Sequence, residues 1–121
     1  MSRTVLTVDD SKTMRDMVAF TLKQAGYSVK QAFDGQNALD VLGDDKVDCI
    51  VTDLNMPVMD GLELIKNLRQ HPVHKATPIL MLTTESDDTK KQAGRDAGAT
   101  GWLVKPFNSD KLINTIKKVV M

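Results

Sequence analysis

Cys49-Ile50-Val51-Thr52-Asp53-Leu54-Asn55-Met56-Pro57-Val58-Met59-Asp60-Gly61 is the stretch whose reading decides the fold. Its first four residues are mostly apolar and β-favouring, the pattern of a buried strand. The run stops at an acid, Asp53. Asn55, Pro57, Asp60 and Gly61 then punctuate a loop, and a helical pattern opens at Leu62. In open parallel sheets, ligands bind in the crevice outside the carboxyl ends of the strands. An acid at such an end is therefore a candidate site residue. Taken alone, Asp53 reads more readily as a residue that caps or solvates a strand end. Its company along the chain decides the matter.

Working outward, Thr4 to Val8 is a β-branched run that ends at a pair of acids, Asp9 and Asp10. Ser11 can cap a helix whose face carries Met14, Met17, Val18, Thr21 and Leu22, with Gly26 as its stop. Met14 and Met17, three apart, read as core residues. Tyr27 to Ala32 reads as a second strand. Asp34-Gly35 turns into a short amphipathic helix through Ala38, Leu39, Val41 and Leu42. After the central stretch, Leu62, Leu64, Ile65 and Leu68 form a helix face, with Asp60 as its cap. Pro72 and Pro78 bracket a loop that holds His71 and His74, a pair with no third metal ligand. Ile79 to Leu82 is a fourth buried strand, ending at Thr83-Thr84. Asp87 to Ala97 reads as a polar helix stopped by Gly98. Gly101 to Val104 is a fifth strand, ending at Lys105-Pro106, and Leu112, Ile113, Ile116, Val119 and Val120 mark a last amphipathic helix. Five strands alternating with five helices predict a parallel α/β sheet covered on both faces. No repeat or linker marks a second domain, so residues 1–121 are expected to be one unit.

Composition bounds the function. The 16 basic and 16 acidic residues balance, which leaves no excess positive charge to neutralise nucleic-acid phosphates. The single cysteine, Cys49, lies in a buried strand and reads as a small hydrophobe. No apolar run approaches the roughly 20 residues that span a bilayer, and the N-terminal residues lack an apolar signal core. A cytoplasmic monomer, bound neither to membrane nor to nucleic acid, is expected.

The strand ends form a constellation. A parallel sheet puts Asp9, Asp10, Asp53, Thr83 and Lys105 on one rim. Three crowded carboxylates repel one another and call for a cation. Oxygen ligands with open positions suit Mg²⁺, which prefers carboxylate plus phosphate. A hydroxyl and an ammonium beside them suit a phosphoryl group, and an Asp carboxylate can be its covalent acceptor. The rim therefore reads as an aspartate that takes up phosphate with Mg²⁺.

Val8-Asp9-Asp10, Asp53-Leu54-Asn55-Met56-Pro57 with Asp60-Gly61, Leu82-Thr83 and Lys105-Pro106-Phe107 resemble, in order and spacing, the signatures of a response-regulator receiver domain. Within that family the resemblance is to single-domain chemotaxis regulators of the CheY type. It implies a flavodoxin-like sheet of order 2-1-3-4-5. It also implies that Asp53 is the phosphoacceptor. Asp9 and Asp10 are then the Mg²⁺-positioning pair, with Asp53 and the main-chain carbonyl of Asn55 as further ligands. Thr83 is implied as the switch hydroxyl and Lys105 as the lysine that pairs with the phosphoryl group, after a cis Lys105–Pro106 bond. Asn55 and Glu85 match positions that tune dephosphorylation in fast-resetting regulators. Trp102 stands where the family commonly has Tyr or Phe; it is either the ring that swings on activation or a packing residue.

The implied function is a switch. A histidine kinase of the CheA kind phosphorylates Asp53. The face of the fourth helix, fifth strand and fifth helix then binds a target protein, in the family a flagellar motor switch, and a phosphatase can assist in resetting. The chain shows no output domain and is not expected to be an enzyme beyond its own phosphoryl transfer and dephosphorylation. The alternative is a phosphorelay carrier that passes phosphate from Asp53 to a histidine phosphotransfer protein. A haloacid-dehalogenase-like phosphohydrolase is the remote reading. That class needs a second Asp two residues after the nucleophile, where this chain has Asn55, and its nucleophile ends the first motif strand rather than the third.

Overall fold

In the computed structural model, which describes residues 3–120, the apolar runs become strands and the amphipathic runs become helices. In chain order these are β1 (Thr4–Val8), α1 (Lys12–Gln24), β2 (Ser28–Ala32), α2 (Gly35–Leu42), β3 (Cys49–Thr52), α3 (Gly61–Gln70), β4 (Ile79–Thr83), α4 (Asp88–Ala97), β5 (Gly101–Val104) and α5 (Ser109–Val119). The sheet is parallel throughout, in the order β2-β1-β3-β4-β5. This is the flavodoxin-like arrangement that the family resemblance implies. Each helix starts at a side-chain cap: Ser11, Asp34, Asp60, Asp87 and Asn108 each accept a main-chain N–H from the first turn. Such caps satisfy donors that have no partner inside the helix.

The period of two along the strands splits the core into two layers. Leu6, Val8, Ile50, Ile79 and Met81 face α2 and α3, where they meet Ala38, Leu42, Leu64, Ile65 and Leu68. Val5, Cys49, Val51, Leu80, Leu82 and Leu103 face α1 and α5, where they meet Val18, Leu22, Leu112 and Ile116. β3 and β4 are buried along their whole length, as strands covered on both faces must be. Burial pushes the Cys49 thiol up to about 12, which fits a packing residue rather than a nucleophile. No helix among the described residues is long and apolar enough to cross a membrane.

Met17 departs from the sequence reading. It is 50% exposed, and only Met14 of the pair packs against the core. The face that α1 turns inward is set by Val18 and Leu22, and Met17 falls just outside that stripe. The boundaries shift slightly as well: β2 begins at Ser28, α3 at Gly61, and Val120 caps α5 rather than extending it. The His71 and His74 rings stack with centroids 4.5 Å apart. His74 Nε2 lies 3.0 Å from the Gly43 carbonyl, and the pair fastens the loop after α3 to the end of α2.

α4 is held differently from the other helices. Gly94 is its one buried residue, and the Trp102 ring lies against it. A Cβ at Gly94 would come within 2.6 Å of Trp102 Cζ3. At its far end, Arg69 Nε donates to the Gly98 carbonyl at 3.0 Å, while Nη1 donates to Thr77 O at 2.7 Å and Lys75 O at 3.1 Å. We expect Gly94→Ala to expel the indole. Helix propensity alone would raise stability by about 1 kcal/mol, but overpacking at this distance outweighs it. Trp102 emission should shift to the red and acrylamide quenching should rise. An unchanged spectrum with higher thermal stability would show that the ring does not depend on this glycine.

Candidate functional site

Strand register builds the site. Val8 pairs with Thr52, so the residues that follow, Asp9 and Asp53, become neighbours on the carboxyl rim. Thr83 pairs with Val104, so Lys105 emerges one step beyond. Main-chain bonds continue the pairing past the strands: Asp53 N–H donates to Val8 O at 2.9 Å, and Lys105 N–H to Thr83 O at 2.8 Å. Gly61 lets the following loop fold back. A Cβ there would run into the Asp53 carbonyl and Leu54 Cα, and Gly61 N–H donates to Leu54 O at 2.8 Å.

Lys105 reaches across this rim. Its Nζ lies 2.7 Å from Asp9 Oδ2 and 3.3 Å from Asp53 Oδ2, and all three side chains are largely buried. A buried lysine needs partners of this kind; the solvated surface charge that a lone lysine usually is does not describe it. The other oxygens are tied to the backbone. Asp9 Oδ1 accepts Ser11 N–H at 2.9 Å, and Asp53 Oδ1 accepts Leu54 N–H at 2.7 Å. Asp10 is exposed. Asp9, Asp10 and Asp53 each offer a carboxylate oxygen, all within 4.8 Å of one another, and they are the one such cluster among the described residues. Oxygen donors of this number and charge fit a hard divalent cation such as Mg²⁺, with the open positions it keeps for water or phosphate.

The remaining candidates lie around the same rim. Thr83 is fully buried, and its hydroxyl accepts Glu85 N–H at 3.4 Å. Asn55 is exposed, and its Nδ2 lies 3.5 Å from Glu85 Oε1. Trp102 stands on the α3–α4 side of the sheet, and its Nε1 donates to the Glu85 carbonyl at 2.9 Å. Trp102 is therefore joined to the segment after Thr83 and to α4. The Lys105–Pro106 bond is cis.

Sequence reasoning missed two features. Arg15 Nη1 donates to the Asp9 carbonyl at 2.7 Å; the one available signal was its place one turn into a helix that starts beside the acids. Val58 has φ of 68° and is 83% exposed. It is the centre of a three-residue turn closed by Met59 N–H on Pro57 O at 2.7 Å. A β-branched residue in this region is strained, and the strain sits in the loop that follows Asp53.

The family model for the response regulator receiver domain matches residues 5–117. Solved structures resemble the chain over nearly all of its length. The chemotaxis protein CheY4 of Vibrio cholerae is 50% identical with a TM-score of 0.95, covering 99% of this chain and 100% of that one. A putative response regulator from Chloroflexus aurantiacus is 39% identical with a TM-score of 0.93, covering 98% of each chain. The receiver domain of the sensor histidine kinase PA1611 from Pseudomonas aeruginosa, whose active-site cleft coordinates a magnesium ion, shares the fold at 24% identity, with a TM-score of 0.91 and 98% of each chain covered. This chain belongs to the response regulator receiver domain family, the receivers of two-component signalling.

Proposed function

We propose that the chain is a phosphorylation-operated switch in chemotaxis. The observation that carries this reading is the rim itself: three carboxylates gathered within 4.8 Å, with one buried lysine against two of them. In this reading an Asp53 carboxylate oxygen attacks the phosphorus of a phosphohistidine on a CheA-like kinase. A P–O bond forms, the P–N bond breaks, and the imidazole leaves with its electron pair and takes up a proton. Asp9 and Asp10, with Asp53 and the Asn55 carbonyl, would hold Mg²⁺. That ion would supply positive charge against the transferring phosphoryl oxygens. Lys105 donates to the phosphoryl group once it sits on Asp53, and Thr83 turns its hydroxyl toward it.

Those two movements act on the face formed by α4, β5 and α5. Thr83 gives up its place beside Glu85, whose carbonyl holds Trp102. Lys105 draws on the end of β5. The population shifts toward a form that binds a target protein. The 50% identity to a chemotaxis protein over the whole chain supports a flagellar motor switch as that target. Asn55 and Glu85, in contact above the site, are placed to set how fast water removes the phosphoryl group, with or without a phosphatase. The chain turns over no other substrate in this reading, and it works in the cytoplasm as a monomer.

Labelling with a small acyl phosphate tests the proposal. With Mg²⁺ present, phosphate should appear on Asp53 alone. Asp53→Asn should abolish it, and EDTA should suppress it. Labelling of Asp53→Asn at the rate of the unaltered protein would refute the assignment.

Lys105→Ala separates chemistry from signalling. It should still accept phosphate, because Asp53 and the acidic pair remain. Target affinity at full phosphorylation should rise far less than in the unaltered protein, since the charge-assisted bond that couples β5 to the phosphoryl group is gone. An equal gain in affinity would confine Lys105 to an electrostatic role at the acids.

A further inference from the structure

We propose that Arg15 is a positioning residue for the metal ligand Asp10, acting through the peptide that joins Asp9 to Asp10. The inference rests on the reading of the acid cluster as a Mg²⁺ site. Asp9 is tied at every polar group near the rim. Its N–H donates to Ala32 O at 3.1 Å, its Oδ1 accepts Ser11 N–H, and its Oδ2 faces Lys105 Nζ. Asp10 differs. No hydrogen bond or ion pair uses its side chain among the described residues, and it is exposed. Its aim toward Asp53 is therefore set by the backbone on which it stands.

The plane of the Asp9–Asp10 peptide sets that aim, because rotating it swings the Asp10 Cα–Cβ bond. Arg15 holds the plane by its carbonyl, through a charge-assisted bond of 2.7 Å. Arg15 is itself fixed. It is the fourth residue of α1, its N–H donates to Ser11 O at 2.9 Å, and Ser11 Oγ caps the helix through Met14 N–H. The guanidinium is half-buried, so α1 transmits a rigid reference to the loop. Partners one step behind a metal ligand commonly set its affinity by about ten- to a hundredfold.

A cation bonded to the Asp9 carbonyl has a competing effect of the opposite sign. If Arg15 acted only by charge, it would repel Mg²⁺, and removing it would tighten binding. The test is calorimetric titration of the unphosphorylated full chain with MgCl₂. Arg15→Met keeps the apolar stem and removes both donor and charge; it should weaken Mg²⁺ binding by about tenfold or more. Arg15→Gln keeps a donor without the charge and should recover part of that loss. In an Asp10→Asn background, Arg15→Met should change the Mg²⁺ constant by less than about twofold, because the ligand that it aims is no longer a carboxylate. Melting curves in EDTA check that each variant folds. Tighter or unchanged binding in Arg15→Met, or an equal loss in the Asp10→Asn background, would overturn the inference while leaving the metal site standing. Failure of the unaltered protein to bind Mg²⁺ would remove both.

Discussion

The ion pairs of Lys105 with Asp9 and Asp53 are the constraint on which the rest of the site depends. They join the ends of β1 and β3 to the segment after β5. Asp9 and Asp53 face each other because parallel register leaves no choice once Val8 pairs with Thr52. Two buried carboxylates at neighbouring strand ends are costly without a cation, and Lys105 supplies the one that the chain itself provides. A phosphoryl group on Asp53 would add negative charge beside the same ammonium and compete with Asp9 for it. In the reading proposed here, chemistry at β3 is felt at β5 through this shared partner.

α4 is suited to report such an event because so little holds it. Its body offers one buried residue, Gly94, against the Trp102 ring. Its start is capped by Asp87, whose carboxyl is held below its ordinary value chiefly by the N–H groups of Thr89 and Lys90. Its end is fastened by Arg69, a guanidinium spent on main-chain carbonyls of the α3–β4 loop and of Gly98. Gly98 has φ of 113°, and a Cβ there would press on the Arg69 stem. A helix anchored at one end and resting on an indole at its middle can tilt at modest cost. Elements that respond to signals are drawn from the less stable parts of a fold.

Much of the fold was legible because its signals are local and repeated. Apolar runs such as Ile50-Val51 and Ile79 to Leu82 can be little else than strands buried on both faces. Ser11, Asp34, Asp60, Asp87 and Asn108 stand where helices need acceptors, although only the first and third were read as caps from the sequence. The gathering of Asp9, Asp10, Asp53 and Lys105 on one rim followed from parallel strands plus the carboxyl-end rule, while the strand order came only with the family resemblance. Met17 was misread because helical spacing does not say where the buried stripe ends. Arg15 carried only its place one turn into the helix beside the acids, and Arg69 and Gly94 carried no legible signal. The two arginines act on main-chain carbonyls, which every residue has. Gly94 matters only through Trp102, eight residues away, and an isolated glycine in a polar helix looks like a weak point rather than a socket.

A structure of the protein with Mg²⁺ and beryllium trifluoride tests the central claim most directly, since that group mimics a phosphoryl on a carboxylate. The account predicts the adduct on Asp53, with Lys105 Nζ moved from Asp9 to a fluorine and the Thr83 hydroxyl bonded to another. An adduct on a different residue, or Lys105 still held by Asp9 with Thr83 unmoved, would contradict it.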